Sequence, residues 1–398
     1  MKTVCFDLRA LQIGHQNRGI GMYIRSVLEN MPKDDNRYLF YCFDKNDPIT
    51  DLSINTAVNY EIVQTPTVNT ALDSPRQLLG IIKLVKHRFA PLKSFKPDVF
   101  VQFDFTLGAP RWKNTKVVAI GYDLIPLIKK NEYMPSMWYA WSHSASRLRG
   151  VLRAAYYRFR YHLHYKVYTR ADTVVCISQS TADTFSELLG IPKNRLATIP
   201  LAPVTSNAQP DDAVAKKMSK PYVFYIGGTD KRKRVIDIIR AFNIARGRGG
   251  DLLLVLAGFE FQSLAKMTDE TAKQAIKNSP YADDIKLVGF ITDAEKLGLY
   301  AAARAFVFAS TYEGFGLPVV EAMAASCPVI AYNNSSIPEA SGNAAILIET
   351  GDYVEIARQL IALDDAKLRN EFVAHGLQQA EKFSWKKHVA ALTKVLDA

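Results

Sequence analysis

At 398 residues the chain is longer than one hydrophobic core supports, so two domains of about 150–200 residues each are expected. Hydrophobic residues make up 48% and charged residues 22%, which excludes long disordered tails, and no apolar run approaches the ~20 residues a membrane helix needs. The formal net charge of +11 is unevenly placed: Lys129 to Arg170 holds nine Lys/Arg against the single acid Glu132, Arg76 to Lys96 holds six and no acid, and the remainder is slightly acidic. A surplus confined to two stretches favours a localised anionic partner over general stickiness.

The N-terminus, Met1 to Asp7, meets a charge before a signal-peptide core could form and reads as a first strand, Thr3 to Asp7. Further strand candidates follow at Asp98 to Phe103, Val117 to Ile120 and Thr173 to Ile177. The second half alternates more cleanly. Strand-like runs at Pro221 to Ile226, Leu252 to Leu256, Ile285 to Val288, Ala305 to Phe308 and Pro328 to Ala331 are interleaved with helical patterns such as Val235 to Phe242. Such alternation predicts βαβ units and parallel sheets covered on both faces, an α/β protein of two Rossmann-like domains. The boundary is placed in Pro200 to Pro210, where Pro and small polar residues replace periodic hydrophobicity, giving domains of 1–203 and 204–381. The last segment, 382–398, is a helix that either finishes the second domain or crosses back to the first. The four cysteines, Cys5, Cys42, Cys176 and Cys327, form no Cys-x-x-Cys pair and read as reduced, buried packing residues.

Two segments carry chemistry. Tyr225 to Val235 runs from strand to helix through Gly227 and Gly228 and then presents four consecutive cations, Lys231, Arg232, Lys233 and Arg234. Glycines permit close backbone approach and cations beside a helix N-terminus make an anion site, although a solvated basic turn has the same composition. Ser310 to Ala324 supplies Glu313, Gly314, Phe315, Gly316 and Leu317, then Pro318 at the start of a helix and Glu321 near its first turn. Glu321 alone could complement the helix dipole, which leaves Glu313 unexplained. A carboxylate also takes two hydroxyls of a sugar by paired hydrogen bonds.

Taken together, Gly-Gly followed by Arg232-Lys233, the segment Glu313-Gly-Phe-Gly-Leu-Pro-Val-Val-Glu321 and Ile337-Pro-Glu339 resemble the retaining glycosyltransferases of family 4, which have the GT-B fold of two Rossmann-like domains facing a central cleft. The likeness reaches the first half through Arg18-Gly-Ile-Gly21, Asp123-Leu-Ile-Pro126 and Ala171-Asp172 to Ser178. The resemblance implies that the first domain binds the acceptor and the second a nucleotide-sugar. Arg232 and Lys233 would neutralise the donor diphosphate, Glu321 bind the nucleotide ribose and Glu313 contact the transferred sugar. Backbone amides of Gly314, Phe315, Gly316 and Leu317 would border the sugar and phosphates, Gly228 would lie in the donor loop, and Gly19 and Gly21 would let the first domain approach. Preorganised cations and amides stabilise a departing nucleoside diphosphate without a metal, and the chain has no Asp-x-Asp pair, so no metal or other cofactor is expected. Many relatives carry His before the aspartate of the mid-domain loop, where this chain has Tyr122. The phenol could donate a hydrogen bond to the donor sugar or could simply pack, and Asp123 could touch substrate or hold its turn through an Asx bond.

The basic stretches are also aromatic. Trp138, Trp141 and several tyrosines lie among Arg147, Arg149, Arg153 and other cations, and Gln77 to Phe89 alternates apolar and basic residues at near-helical spacing. Aromatics with cations suit a membrane-water interface, which predicts a cytoplasmic protein docked on the inner leaflet to reach a saccharide or a lipid-pyrophosphate acceptor. An amphipathic core helix with a wet basic face is the plainer reading. Nucleic acid is not expected, since no recognised binding module frames the patch. The predicted function is transfer of a hexose, mannose from GDP-mannose first and UDP-sugars next. A non-catalytic nucleotide-sugar sensor or a sugar-nucleotide epimerase of the same fold are the alternatives.

Overall fold

The computed structural model of the protein describes residues 1–13, 19–44, 58–65, 89–133, 148, 151, 155, 161, 164–203 and 209–398. These residues form two compact units, Met1–Pro200 with Trp385–Ala398, and Leu201–Ser384.

The first unit holds a parallel sheet of seven described strands: β1 (Thr3–Asp7), β2 (Arg37–Cys42), β3 (Tyr60–Gln64), β4 (Val99–Gln102), β5 (Lys116–Gly121), β6 (Thr173–Cys176) and β7 (Leu196–Thr198). Their spatial order is β3-β2-β1-β4-β5-β6-β7. The second unit holds β8 (Tyr222–Ile226), β9 (Leu253–Ala257), β10 (Ile285–Gly289), β11 (Ala305–Phe308), β12 (Val329–Tyr332) and β13 (Ala345–Ile348), in the order β10-β9-β8-β11-β12-β13 and again all parallel. Central strands such as β9, β11 and β12 are buried along their whole length, as a sheet covered on both faces requires. In each unit the direction of winding reverses beside the first strand, between β1 and β4 and between β8 and β11. Ligands of open α/β sheets bind beyond the carboxyl ends of the strands at such a reversal.

Helices cover the second sheet in the expected places. Val235–Gly247 buries Val235, Ile238, Ile239 and Phe242 in a core shared with Ile356, Ala357 and Leu360 of helix Tyr353–Ala362. Helix Asp293–Ala302 starts at a capping box of Thr292 and Glu295, and helix Leu317–Ala324 has Pro318 in its first turn. The strands the sequence proposed are present, Thr3–Asp7 and Ala305–Phe308 with the same ends and the others shifted by one residue at one or both ends. Four strands went unanticipated, β2, β3, β7 and β13. β7 has three residues, too short for periodicity to register, β3 is exposed over its first two residues, and β13 is only partly buried at its two central residues. β2 does carry an aromatic, apolar run, Tyr38 to Cys42, but between charge-rich flanks.

The terminal helix, Trp385–Asp397, is anchored within the first unit. Lys116 Nζ donates to Val395 O at 2.7 Å and Lys2 Nζ to Leu396 O at 3.3 Å and to Asp397 O, so two cations meet the carbonyls of the last turn. Near its start His388 lies 2.8 Å from Pro200 O through Nδ1 and 2.8 Å from the Tyr23 hydroxyl through Nε2. A carbonyl only accepts, so Nδ1 donates to it, and in the neutral imidazole Nε2 then accepts from the Tyr23 hydroxyl. Burial also holds the His388 pKa below its ordinary value, against the hydrogen bond to Pro200 that raises it.

All four cysteines are free and buried. Burial pushes the Cys176 thiol up to about 12, consistent with packing rather than reactivity. Among the described residues no helix is long and apolar enough to cross a membrane.

Candidate active site

Two loops of the second unit meet at its topological reversal. The loop after β8 passes Gly227 and Gly228 and forms a short turn, Lys231–Lys233, whose start is capped by the Asp230 carboxylate on Arg232 N at 3.0 Å. Arg234 then adopts a left-handed conformation, φ 50°, and helix Val235–Gly247 begins. The loop after β11 carries Ser310 to Gly316. The two are stitched together by Thr311 N, which donates to Arg232 O at 2.9 Å.

Side chains converge at this seam. Arg232 Nη1 donates to Glu313 Oε1 at 2.6 Å, to Tyr312 O at 2.7 Å and to Ser310 Oγ at 3.1 Å. Lys233 Nζ reaches the same Glu313 oxygen at 2.6 Å and lies 5.1 Å from the centre of the Phe308 ring. All three charged side chains are 10–16% exposed, so they are partly desolvated and coupled more strongly than a surface pair. Burial on its own would raise the Glu313 carboxyl; the charges of Lys233 and Arg232, with hydrogen bonds from Lys233 and Ser310, outweigh it and hold Glu313 below the ordinary carboxylate range. Two cations against one carboxylate leave a net positive site.

The backbone of this loop is fixed from a second side. Glu313 N donates to Ser335 Oγ and Ser336 Oγ to Glu313 O, both at 3.0 Å, while Asn334 Nδ2 donates to Ser310 O at 3.0 Å. Gly314 and Phe315 are buried, the Phe315 ring edge-on to Phe383 at 5.5 Å. Gly316 stands at φ 97° just before helix Leu317–Ala324, a conformation that favours glycine, and a Cβ there would lie 2.6 Å from Ile337 Cδ1 and displace the tip of that side chain. The N-terminus of that helix therefore opens at the carboxyl end of β11, a favourable place for negative charge.

Glu321, one turn into the helix, is 7% exposed. Its Oε1 accepts from Lys296 Nζ at 3.2 Å, and Lys296 also lies 3.2 Å from Asp293 Oδ1. Burial, the largest influence, lifts the Glu321 carboxyl above its ordinary value; Lys296 pulls it part of the way back and Asp293 pushes it up again. Beside the first loop, Glu260 accepts from Thr229 N at 2.9 Å and from the Thr229 hydroxyl, and Thr268 Oγ1 lies 3.2 Å from it. Gly258, after β9, has no room for a side chain, since a Cβ would stand 2.1 Å from Gly227 O.

Of the residues singled out in the sequence, Arg232, Lys233 and Glu313 are in direct contact, and Gly228, Gly314, Phe315, Gly316, Leu317 and Glu321 lie on the same two loops and the helix that follows. Gly19, Gly21, Tyr122 and Asp123 belong to the first unit. Gly19 and Gly21 are in the first turn of helix Gly19–Glu29, and around Gly19 the space a side chain would fill is open. Asp123 Oδ1 accepts from Ile125 N at 3.0 Å, the Asx bond that opens a short helix. The Tyr122 ring packs edge-on to Tyr23 at 5.5 Å, and its hydroxyl is buried with no partner among the described residues. Arg18, Trp138, Trp141, Arg147, Arg149 and Arg153 lie outside the described residues. Sequence reading missed Lys296, Glu260 and Asp237. Each is a single charged residue without a motif, and its partner is distant or hidden in an ordinary helix. Among the described residues no group of three His, Cys, Asp or Glu is placed to hold a metal ion.

The family model for glycosyltransferase family 4 matches residues 17–202 and that for glycosyl transferases group 1 matches residues 207–379. O-antigen chain mannosyltransferase B of Escherichia coli is 30% identical over 227 residues, 54% of this chain and 58% of that protein. The serotype-specific mannosyltransferase WbdA of the same species is 26% identical over 279 residues, 68% of this chain and 32% of its own length. The matches thus span less than two thirds of these relatives. Among solved structures, sucrose-phosphate synthase from Thermosynechococcus elongatus superposes with a TM-score of 0.68 at 18% identity, covering 100% of this chain and 98% of that one. Anabaena HepE, solved in complex with UDP-glucose, superposes with a TM-score of 0.66 at 14% identity over 100% of both chains. Two family models that between them take in nearly the whole length, on two Rossmann-type parallel sheets, establish that this chain belongs to the family 4 glycosyltransferases of the GT-B fold.

Proposed function

We propose that the protein is a retaining hexosyltransferase that moves a hexose, mannose before others, from a nucleoside-diphosphate sugar to a saccharide or polyprenyl-diphosphate-linked acceptor in cell-surface polysaccharide synthesis. The observation that carries this reading is the convergence of Arg232, Lys233 and Glu313 at the carboxyl ends of β8 and β11, beside the N-terminus of helix Leu317–Ala324. Breaking the bond between sugar and diphosphate develops negative charge on the leaving phosphate. A guanidinium, an ammonium and backbone amides already fixed in place stabilise that charge without reorganising. On this reading Arg232 and Lys233 bind the diphosphate and the amides of Gly314 to Leu317 border it. Glu313, kept ionised by the two cations, takes hydroxyls of the transferred sugar, and Glu321 takes the ribose. The cations supply what a divalent metal supplies elsewhere, so the reaction proceeds without one.

Mannose is favoured by the names of the two Escherichia coli relatives at 30% and 26% identity, both called mannosyltransferases. The test is a thermal-shift series with GDP-mannose, UDP-glucose and UDP-galactose, because a ligand of the folded state raises the midpoint in proportion to its affinity. GDP-mannose is expected to give the largest rise, and no rise with any nucleotide-sugar would overturn the reading. The anomeric configuration of the product, read by NMR, tests retention. Docking on the inner leaflet is supported by the charge surplus in 76–96 and 129–170. Sedimentation with anionic liposomes is expected to show salt-sensitive binding, and its absence would remove the membrane from the proposal.

A further inference from the structure

Lys296 lies on helix Asp293–Ala302 and is 8% exposed. A buried ammonium is costly unless paired, and this one is paired twice, with Asp293 and Glu321. The two partners differ. Asp293 is one turn away on the same helix and half exposed, the geometry of an ordinary surface pair. Glu321 is 25 residues away on another helix, with a side chain 8% exposed.

The helix that projects Lys296 is rigidly held. Its start is closed by the capping box, Asp211 N donates to Ala294 O at 2.9 Å, and Gly298 packs so close to the Asp211 carbonyl that a Cβ would stand 2.0 Å from it. Lys296 thus presses on one oxygen of Glu321 from a fixed platform. The other oxygen, Oε2, receives no hydrogen bond from any described residue. One oxygen of a nearly buried carboxylate is held, and the second is left to accept from something else.

We propose that Lys296 is a positioning residue for the donor: it fixes Glu321 through Oε1, so that Oε2 accepts from the hydroxyls of the nucleotide ribose. The inference rests on the reading of Glu321 as the ribose ligand and adds to it the residue through which Glu321 is held. Lys296 itself touches neither the diphosphate nor the transferred sugar, so its effect is confined to donor affinity.

The experiment measures Kd by calorimetry for GDP and UDP, whichever binds the native protein, and for the matching 2′,3′-dideoxynucleoside diphosphate, with the native chain, Lys296→Met, Lys296→Arg and Glu321→Ala. Lys296→Met is expected to weaken the ribonucleotide about tenfold, one charge-assisted hydrogen bond, while leaving the dideoxy form within about twofold. Lys296→Arg should recover most of the loss, and donor KM should rise in Lys296→Met with kcat nearly unchanged. Equal weakening of both nucleotides, or none, overturns the proposal, since a purely structural lysine would not distinguish them. If Glu321→Ala also fails to discriminate ribose from dideoxyribose, the reading of Glu321 itself falls; if it discriminates and Lys296→Met does not, only the role of Lys296 falls. Should Met at 296 prevent folding, Lys296→Gln provides the same comparison.

Discussion

Asp237 holds Arg234 by both oxygens, with Arg234 Nε on Oδ2 at 2.7 Å and Nη2 on Oδ1 at 2.8 Å, and Arg234 is the left-handed residue that closes the turn carrying Arg232 and Lys233. The carboxylate is fully buried and also accepts from the Tyr332 hydroxyl at 2.8 Å, so strand β12, helix Val235–Gly247 and the cationic turn are fastened at one point. The positions of Arg232 and Lys233 are therefore set by a residue that itself contacts neither Glu313 nor the β11 loop.

Replacing Asp237 by Ala takes away the acceptor of the Tyr332 O–H and releases Arg234. The expected cost is about 2–4 kcal/mol, read as a fall in melting temperature on the order of 10 °C. Donor KM should rise as well, because the turn loses its clamp. A Tyr332→Phe variant removes one of the three hydrogen bonds and should cost about 1 kcal/mol.

Donor affinity should depend on pH through Glu321. Its carboxyl is raised above the ordinary 4.5, chiefly by burial, so on acidification it takes up a proton earlier than an exposed glutamate. If Glu321 takes the ribose as proposed, its ionised form is the acceptor, so affinity should be full at neutral pH and fall as pH drops through a value on the neutral side of 4.5. Glu313 moves the opposite way and stays ionised throughout that window. Calorimetric Kd against pH should show the acid limb in the native protein and lose it in Glu321→Gln, which should bind weakly and evenly. An acid limb unchanged in that variant would assign it to another group.

His388 gives a second, separable pH effect, on stability. Its folded pKa lies below 6.5, so its contribution is present above the unfolded value and is lost as pH falls through the folded one, when the imidazole must charge while buried against Tyr23 and the Pro200 carbonyl. His388→Phe should lower the melting temperature near neutrality and flatten its decline below about pH 6.5. A decline of the same steepness in both proteins would show that His388 is not its source.

Much of the second unit was legible in sequence because parallel strands buried on both faces read as continuous apolar runs, as Leu253 to Ala257 and Ala305 to Phe308 do. Arg232, Lys233 and Glu313 were legible for a different reason: they stand in glycine-bearing segments that follow such strands, and those segments resemble the motifs of family 4 glycosyltransferases. What supports them was not. Asp237, Glu260 and Lys296 are single charged residues in patterns that otherwise read as solvated helix or loop, and their partners Tyr332, Thr229 and Glu321 lie 95, 31 and 25 residues away. Pairing at such separations is fixed by sheet order, which local periodicity does not encode. The anchoring of helix Trp385–Asp397 is of the same kind, resting on Lys2 and Lys116 at the far end of the chain.

The diphosphate site is tested most directly by the turnover of Lys233→Ala with the nucleotide-sugar that gives the largest thermal shift. Glu313 keeps Arg232 as its partner in this variant, so the fold should be retained and the melting temperature change little. Turnover should fall by about tenfold or more, at least ~1.4 kcal/mol of lost stabilisation of the leaving phosphate. A folded Lys233→Ala protein that turns over at close to the native rate would contradict the assignment of Arg232, Lys233 and Glu313 as the donor diphosphate site.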